Sequence, residues 1–186
     1  MNTVLLVTIV IGDDDYFNTY KNLFQKSQID YANKHGYDYR VVTDFLDDSY
    51  KKQNISLYFQ KALVCCQSWS MDYDYIIYVD NDVYININSP PIHSYYDFGT
   101  KVGVVDEWPQ PSEKDKSLIM HYWDKQDKTI KDYYMTAMET TSENTTTANF
   151  IVNSGVLVFQ PEIHKTKMEE YYAEYMPEAK RKKHMW

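Results

Sequence analysis

The feature that most constrains the fold is an apolar run at residues 4–11 (VLLVTIVI), made only of β-branched residues and leucine. Such an uninterrupted run is typical of a strand covered on both faces, as in a parallel sheet between helices. A helix at about residues 16–35, ended by Gly36, and a short strand at residues 37–43 are predicted to follow. This order of strand, helix and strand indicates an α/β protein.

The same alternation continues along the chain. The further predicted elements are a helix at about 55–69, a strand at 75–79, a strand at 101–106, two short strands or one bulged strand at 150–159, and a helix at about 161–175. Residues 107–138 are mixed in character, and the polar residues 140–147 are predicted to form a surface loop. We therefore expect one domain of 186 residues with a mostly parallel central sheet flanked by helices.

Charge and composition exclude several classes of protein. The net charge of −8 repels polyanions, so no nucleic-acid partner is expected. No apolar run approaches 18 residues and the first residues lack the features of a signal peptide, which predicts a cytoplasmic protein without a transmembrane segment. With five glycines, the chain has neither a dinucleotide-binding nor a P-loop motif. The two cysteines, Cys65 and Cys66, are adjacent and are predicted to be packing residues.

Two carboxylates follow the predicted strand at residues 75–79, in the sequence Asp80-Asn81-Asp82. In α/β sheets, ligands bind at the carboxyl ends of the strands. Two hard oxygen donors on a short turn suit Mg²⁺ or Mn²⁺, which also accept phosphate oxygens. The alternative is a polar turn in which Asp and Asn make only local hydrogen bonds.

A second polar motif, Gly12-Asp13-Asp14-Asp15-Tyr16, lies at the end of the first predicted strand and opens the first helix. One interpretation is an ordinary helix N-cap, for which a single carboxylate suffices. The other is a nucleotide site, in which the helix N-terminus beside Gly12 receives a ribose or phosphate and Tyr16 stacks on the base.

Five short motifs, in this order along residues 4–159, resemble the GT-A-fold glycosyltransferases, most closely family 8. They are Gly12-Asp13-Asp14-Asp15-Tyr16, Lys61 in YFQKAL, Asp80-Asn81-Asp82 with Val83, Asp106 after two valines, and VNSGVLVF at 152–159. The resemblance implies a Rossmann-like GT-A domain that uses Mn²⁺, or Mg²⁺, to transfer a sugar from a UDP-sugar. The implied acceptor is a hydroxyl of a glycan or a protein-linked sugar, in glycan or glycoprotein synthesis.

The resemblance also implies a role for each matching residue. Asp80 and Asp82 would hold the metal, and Lys61 would reach the donor. The candidates for contact with the nucleotide are Thr8, Gly12, Asp13, Asp15, Tyr16, Lys61, Asp80 and Asn81. Asp106 and Asn153 would line the transferred sugar and its acceptor. Asp106, and more weakly Glu107, would activate the acceptor if the reaction inverts the anomeric centre, whereas a retaining reaction needs no base there.

The sequence departs from family 8 in two places. It lacks the later Asp-Gln segment and the His-x-x-Gly-x-x-Lys-Pro segment that supplies the third metal ligand, for which His184 is the remaining candidate. Two interpretations follow: the N-terminal part of a longer protein, or a divergent enzyme whose compact form resembles chlorella-virus-type glycosyltransferases.

Two other functions are left open by the sequence. The chain is compatible with a nucleotide-sugar or glycan-binding module that has lost catalysis. Asp80-Asn81-Asp82-Val83 also fits the Asp-x-Asp-x-(Thr/Val) motif of haloacid-dehalogenase-type phosphatases, although in those proteins the motif normally lies on the first strand.

Overall fold

A computed structural model of the chain describes residues 2–47, 57–95, 97–106 and 152–181. Its strands are β1 (Val4–Ile9), β2 (Asp38–Val42), β3 (Tyr75–Val79), β4 (Gly103–Asp106) and β5 (Val152–Phe159). The predicted strands are confirmed, with β3 at the predicted bounds. The described part of the last predicted apolar stretch forms a single strand, and its end, from Val156 to Phe159, pairs with β3 in continuous register.

The five strands form one sheet in the order β2-β1-β3-β5-β4. β1 pairs in parallel with both β2 and β3, with Leu6 opposite Tyr39 on one side and opposite Ile77 on the other. β5 is antiparallel to β3, with Val156 opposite Val79. The sheet is therefore mostly but not entirely parallel, and the predicted α/β class is confirmed.

Helical residues extend from 14 to 35 and are ended by a glycine. They comprise α1 (Asp14–Tyr20), a π-helical segment (Lys21–Gln25) and α2 (Lys26–His35). Gly36 follows with φ 67°, a left-handed conformation that glycine adopts without a steric penalty. The predicted first helix is confirmed, although it begins two residues earlier than expected.

The predicted helix at about residues 55–69 is confirmed from residue 57 onward, and its type is 3₁₀. The structure has two 3₁₀ helices there, Leu57–Cys66 and Ser68–Asp72, separated by the extended backbone of Gln67. Most side chains of the first 3₁₀ helix from Gln60 to Cys65 are buried, so the sequence lacks the amphipathic period that would indicate the helix type.

Two further helices complete the described structure. A short helix, α3 (Ile92–Tyr95), follows Pro90 and Pro91, after which no helix was expected. The last helix, α4 (Pro161–Arg181), continues beyond the predicted end at residue 175. No helix of the described residues is long and apolar enough to cross a membrane.

Each face of the sheet carries its own hydrophobic cluster. On face A, side chains of β1, β3 and β5 pack with the first 3₁₀ helix and with α4; the members include Leu5, Val64, Ile76, Tyr78, Phe159 and Met168. On face B, side chains of β1 and β3 pack with α2; the members include Leu6, Tyr31, Ala32, Ile77 and Val79. The alternation of side chains along each strand produces this division.

The chain divides into two compact units. The first comprises residues 1–103 and 155–186, and the second comprises residues 104–154. In the second unit the described residues are 104–106, at the end of β4, and 152–154, at the start of β5. The mixed segment at 107–138 and the surface loop at 140–147 lie outside the described residues, and the single-domain organisation stays a prediction.

Candidate functional site

Asp80, Asn81 and Asp82 form a turn directly after the buried strand β3. The backbone N–H of Asp80 donates to the carbonyl of Gly155 in β5 (2.8 Å), and the N–H of Val83 donates to the carbonyl of Asp80 (3.1 Å). The turn is thus fixed by its neighbouring strand and by its own backbone. It lies at the carboxyl end of β3, where α/β sheets bind ligands.

The carboxylate of Asp80 is held by two side chains from face A. Lys61 Nζ lies 2.9 Å from Oδ1 and 3.2 Å from Oδ2 of Asp80, and the Tyr78 hydroxyl donates to Oδ1 (2.6 Å). Burial, and to a smaller extent the negative charge of Asp80, raises the pKa of Tyr78. The Tyr78 hydroxyl therefore stays protonated and remains a donor. A cation therefore already lies within contact distance of both oxygens of this carboxylate.

Asn81 connects the Asp80 turn to the first motif. Its Nδ2 donates to the carbonyl of Ile9 at the end of β1 (2.7 Å), and its Oδ1 accepts from the hydroxyl of Tyr16 (2.9 Å). Because β1 and β3 are parallel neighbours, their carboxyl ends lie at the same edge of the sheet. The structure thereby brings together Tyr16 and Asn81, two of the residues predicted to contact the nucleotide.

The acidic residues of the first motif begin helix α1. Asp13 is its N-cap, and Oδ1 of Asp13 accepts from the N–H of Tyr16 (2.9 Å), while Asp14 and Asp15 lie in the first turn. Asp13, Asp15 and Asp82 are exposed. Asp13 therefore serves the helix as a cap and leaves its second carboxylate oxygen at the surface.

Gly12 is required by the position of the Tyr16 ring. A Cβ atom added at Gly12 would lie 2.6 Å from Cδ1 of Tyr16, well inside van der Waals contact. The ring therefore packs directly over the glycine backbone while remaining 45% exposed. A half-exposed aromatic ring beside a helix N-terminus suits stacking on a nucleotide base.

The other predicted site residues are placed differently. Thr8 is fully buried in β1, and its hydroxyl has no hydrogen-bond partner among the residues that the structure describes. Asp106 is the last residue of β4 and Asn153 the second of β5, both in the second unit. Glu107 and His184 lie outside the described residues.

Gln28 is a residue contacting the Asp80 turn that the sequence analysis missed. It is completely buried on α2 and approaches the turn from face B. Its Nε2 donates to the carbonyls of Val83 (3.0 Å) and Asp80 (3.4 Å), and its Oε1 accepts from the hydroxyls of Tyr39 (3.0 Å) and Tyr20 (3.3 Å). Those two hydroxyls also contact each other, and burial raises the pKa of both tyrosines.

Two sequence signals would have identified these supporting residues. Gln28 stands four residues after Phe24 and three before Tyr31, so a polar amide interrupts the apolar face of the predicted helix. Tyr78 stands two residues before Asp80, so the two side chains lie on the same face of the extended chain.

Comparisons with known proteins give a match only at the level of structure. No family model matches the chain, and no curated protein matches it. The solved structures that it resembles include a glycosyltransferase involved in glycosylation of the major capsid of PBCV-1, with a TM-score of 0.53 and 14% identity over 92% of this chain. They also include the galactosyltransferase LgtC in complex with donor and acceptor sugar analogues, with a TM-score of 0.53 and 11% identity over 98% of this chain.

A third similar structure is an active-site mutant of LgtC, with a TM-score of 0.51 and 12% identity over 96% of this chain. These neighbours are GT-A-type glycosyltransferases, and the chain shares their fold. It spans 66% of the length of each of the first two structures and 69% of the third. The fold predicted from the sequence motifs is thereby confirmed.

Proposed function

We propose that the chain is a metal-dependent glycosyltransferase that transfers a sugar from a UDP-sugar to a hydroxyl of a glycan or protein-linked acceptor. The observation that carries this proposal is the Asp80 turn at the carboxyl end of β3, linked through Asn81 to Ile9 at the end of β1 and to Tyr16 at the start of α1. The glycosyltransferase fold of the structural neighbours supports it. We also propose that the protein is cytoplasmic, as its sequence predicts.

The donor set of the turn fits a hard divalent cation. Asp80 and Asp82 offer carboxylate oxygens, and the ammonium group beside Asp80 marks a position where positive charge is stabilised. Among the described residues there is no group of three or more His, Cys, Asp and Glu side chains suited to a metal. We assign Asp80 and Asp82 as protein ligands because of their carboxylate oxygens on one turn, with diphosphate oxygens, water and His184 as candidates for the remaining positions.

Bound there, Mn²⁺ or Mg²⁺ would supply Lewis-acid stabilisation of the charge that develops on a departing diphosphate. The residues of the chain then have distinct tasks. Tyr78 orients the Asp80 carboxylate, Tyr16 stacks on the base, and Lys61 offers a positive charge to the diphosphate. Asp106, Asn153 and Glu107 remain the candidates for contact with the sugar and its acceptor.

A calorimetric titration of UDP into the protein tests this function. With Mn²⁺ present we expect binding that EDTA abolishes, because a bound cation would offset the repulsion between the diphosphate and the carboxylates. Slow Mn²⁺-dependent hydrolysis of a UDP-sugar would then distinguish an enzyme from a module that only binds. If UDP binds neither with Mn²⁺ nor with EDTA, the proposal is contradicted.

Substitution of Tyr16 tests the proposed base stacking. We expect Tyr16→Ala to weaken UDP binding by about 1–3 kcal/mol, the range measured for loss of an aromatic stacking partner. Tyr16→Phe is the matched control, since it keeps the ring and removes only the hydroxyl bonded to Asn81. An alanine variant that binds UDP as the wild type does would exclude stacking on Tyr16.

A further inference from the structure

The Asp80 carboxylate is already neutralised by the protein. Lys61 Nζ contacts both of its oxygens at 2.9 and 3.2 Å, and the Tyr78 hydroxyl donates to Oδ1 at 2.6 Å. The Lys61 side chain is 10% exposed, whereas that of Asp80 is 32% exposed. The ammonium group also lies 5.4 Å from the centre of the Tyr78 ring, a favourable position for a cation.

A divalent cation on Asp80 would therefore meet a second positive charge. Two like charges a few ångströms apart repel strongly in a partly buried site, because the medium between them screens weakly. Movement of Lys61 away from Asp80 costs free energy, since it breaks the contacts of a buried ammonium group with both carboxylate oxygens. The same carboxylate thus attracts two cations that exclude each other.

We propose that Lys61 is an internal counter-cation of Asp80, which opposes binding of a divalent cation alone and is released when a nucleoside diphosphate takes over its ammonium group. The inference rests on the function proposed above and adds to it that the metal binds together with the diphosphate rather than alone. The four-carbon stem of lysine allows its ammonium group to move from a carboxylate to a neighbouring phosphate oxygen. Each of the two ligands, metal and diphosphate, then strengthens binding of the other, in addition to the attraction between them.

The proposal predicts effects of opposite sign on the two ligands when the charge of Lys61 is removed. We expect Lys61→Met to bind Mn²⁺ alone about tenfold more tightly than the wild type, within the usual range of coupling between sites. It should bind UDP about tenfold more weakly, since the diphosphate loses a positive partner. The electron paramagnetic resonance signal of free Mn²⁺ measures the first affinity, and calorimetry with UDP the second.

Two variants control for charge and shape. Lys26→Met removes the same unit charge from an exposed pair with Asp30 on α2, and should leave both affinities unchanged. Lys61→Arg keeps the positive charge that repels the metal, and should leave the affinity for Mn²⁺ close to that of the wild type. If Lys61→Met fails to fold, Lys61→Gln replaces it, because its neutral amide still donates to Asp80.

The outcomes separate this inference from the proposed function. Tighter binding of Mn²⁺ by the neutral variants supports the counter-cation role. Unchanged or weaker binding of Mn²⁺ by them, in a protein that binds UDP with Mn²⁺, overturns the role of Lys61 and leaves the proposed function standing. If neither the wild type nor a neutral variant binds Mn²⁺, alone or together with UDP, both proposals are overturned.

Discussion

Asp82→Asn is expected to weaken Mn²⁺-dependent binding of UDP by about 100-fold, which corresponds to about 3 kcal/mol. The substitution keeps the shape of the side chain and removes a charged oxygen ligand from the proposed metal site. Asp82 is exposed on the turn after β3, so the fold should tolerate the change. Calorimetry with UDP and Mn²⁺ measures the loss, and thermal unfolding of the metal-free protein checks the fold.

Asp30→Asn is the matched control for Asp82→Asn. It removes the same charge from the exposed pair between Lys26 and Asp30, which contributes little to stability. Asp82 is a better test than Asp80, because loss of the Asp80 charge would leave the buried ammonium of Lys61 without this partner. Wild-type affinity for UDP in Asp82→Asn would remove Asp82 from the site.

Gln28→Leu is expected to lower the free energy of unfolding by about 3 kcal/mol, because each buried polar group left without a partner costs about 1–3 kcal/mol. The leucine would leave the carbonyl of Val83 without its donor, and the hydroxyls of Tyr20 and Tyr39 without a shared acceptor. Urea denaturation of the metal-free protein measures the change. Mn²⁺ affinity should fall as well, since Gln28 fixes the turn that carries Asp80 and Asp82.

Gln67→Leu serves as the comparison for Gln28→Leu. Gln67 is half-buried, and within the described part of the chain its side chain makes a single hydrogen bond, to the carbonyl of Leu63 (3.1 Å). Its loss should cost about 1 kcal/mol, the net contribution of an ordinary hydrogen bond. Equal losses of stability in the two variants would show that Gln28 supports the turn no more than any partly buried glutamine supports its surroundings.

The strands of this protein could be predicted because their signals are local. The run at 4–11 and the five residues of β3 are apolar enough to indicate buried strands, and β3 has the predicted bounds. The type of the helix at Leu57–Cys66 could not be predicted, because it is buried between the sheet and α4 and lacks an amphipathic face.

The candidate site was only partly predictable for a related reason. Asp80 and Asp82 could be identified from their position after a strand. The bond from Asn81 to the carbonyl of Ile9 joins residues 72 positions apart, and the bond from Gln28 to Val83 joins residues 55 apart. Such pairs follow from the packing of whole elements, whereas sequence spacing indicates only neighbours within one element.

The antiparallel strand β5 has a consequence for how the protein is synthesised. It lies beside β3, and the carbonyl of Gly155 in β5 accepts a hydrogen bond from the N–H of Asp80, although 75 positions separate the two residues. Such distant pairings form slowly, because the intervening chain must first be closed into a loop. Until β5 leaves the ribosome, β3 presents an unpaired apolar edge, and an edge of this kind recruits strands from other molecules. Nascent chains stalled before residue 152 should therefore be the species most prone to aggregate.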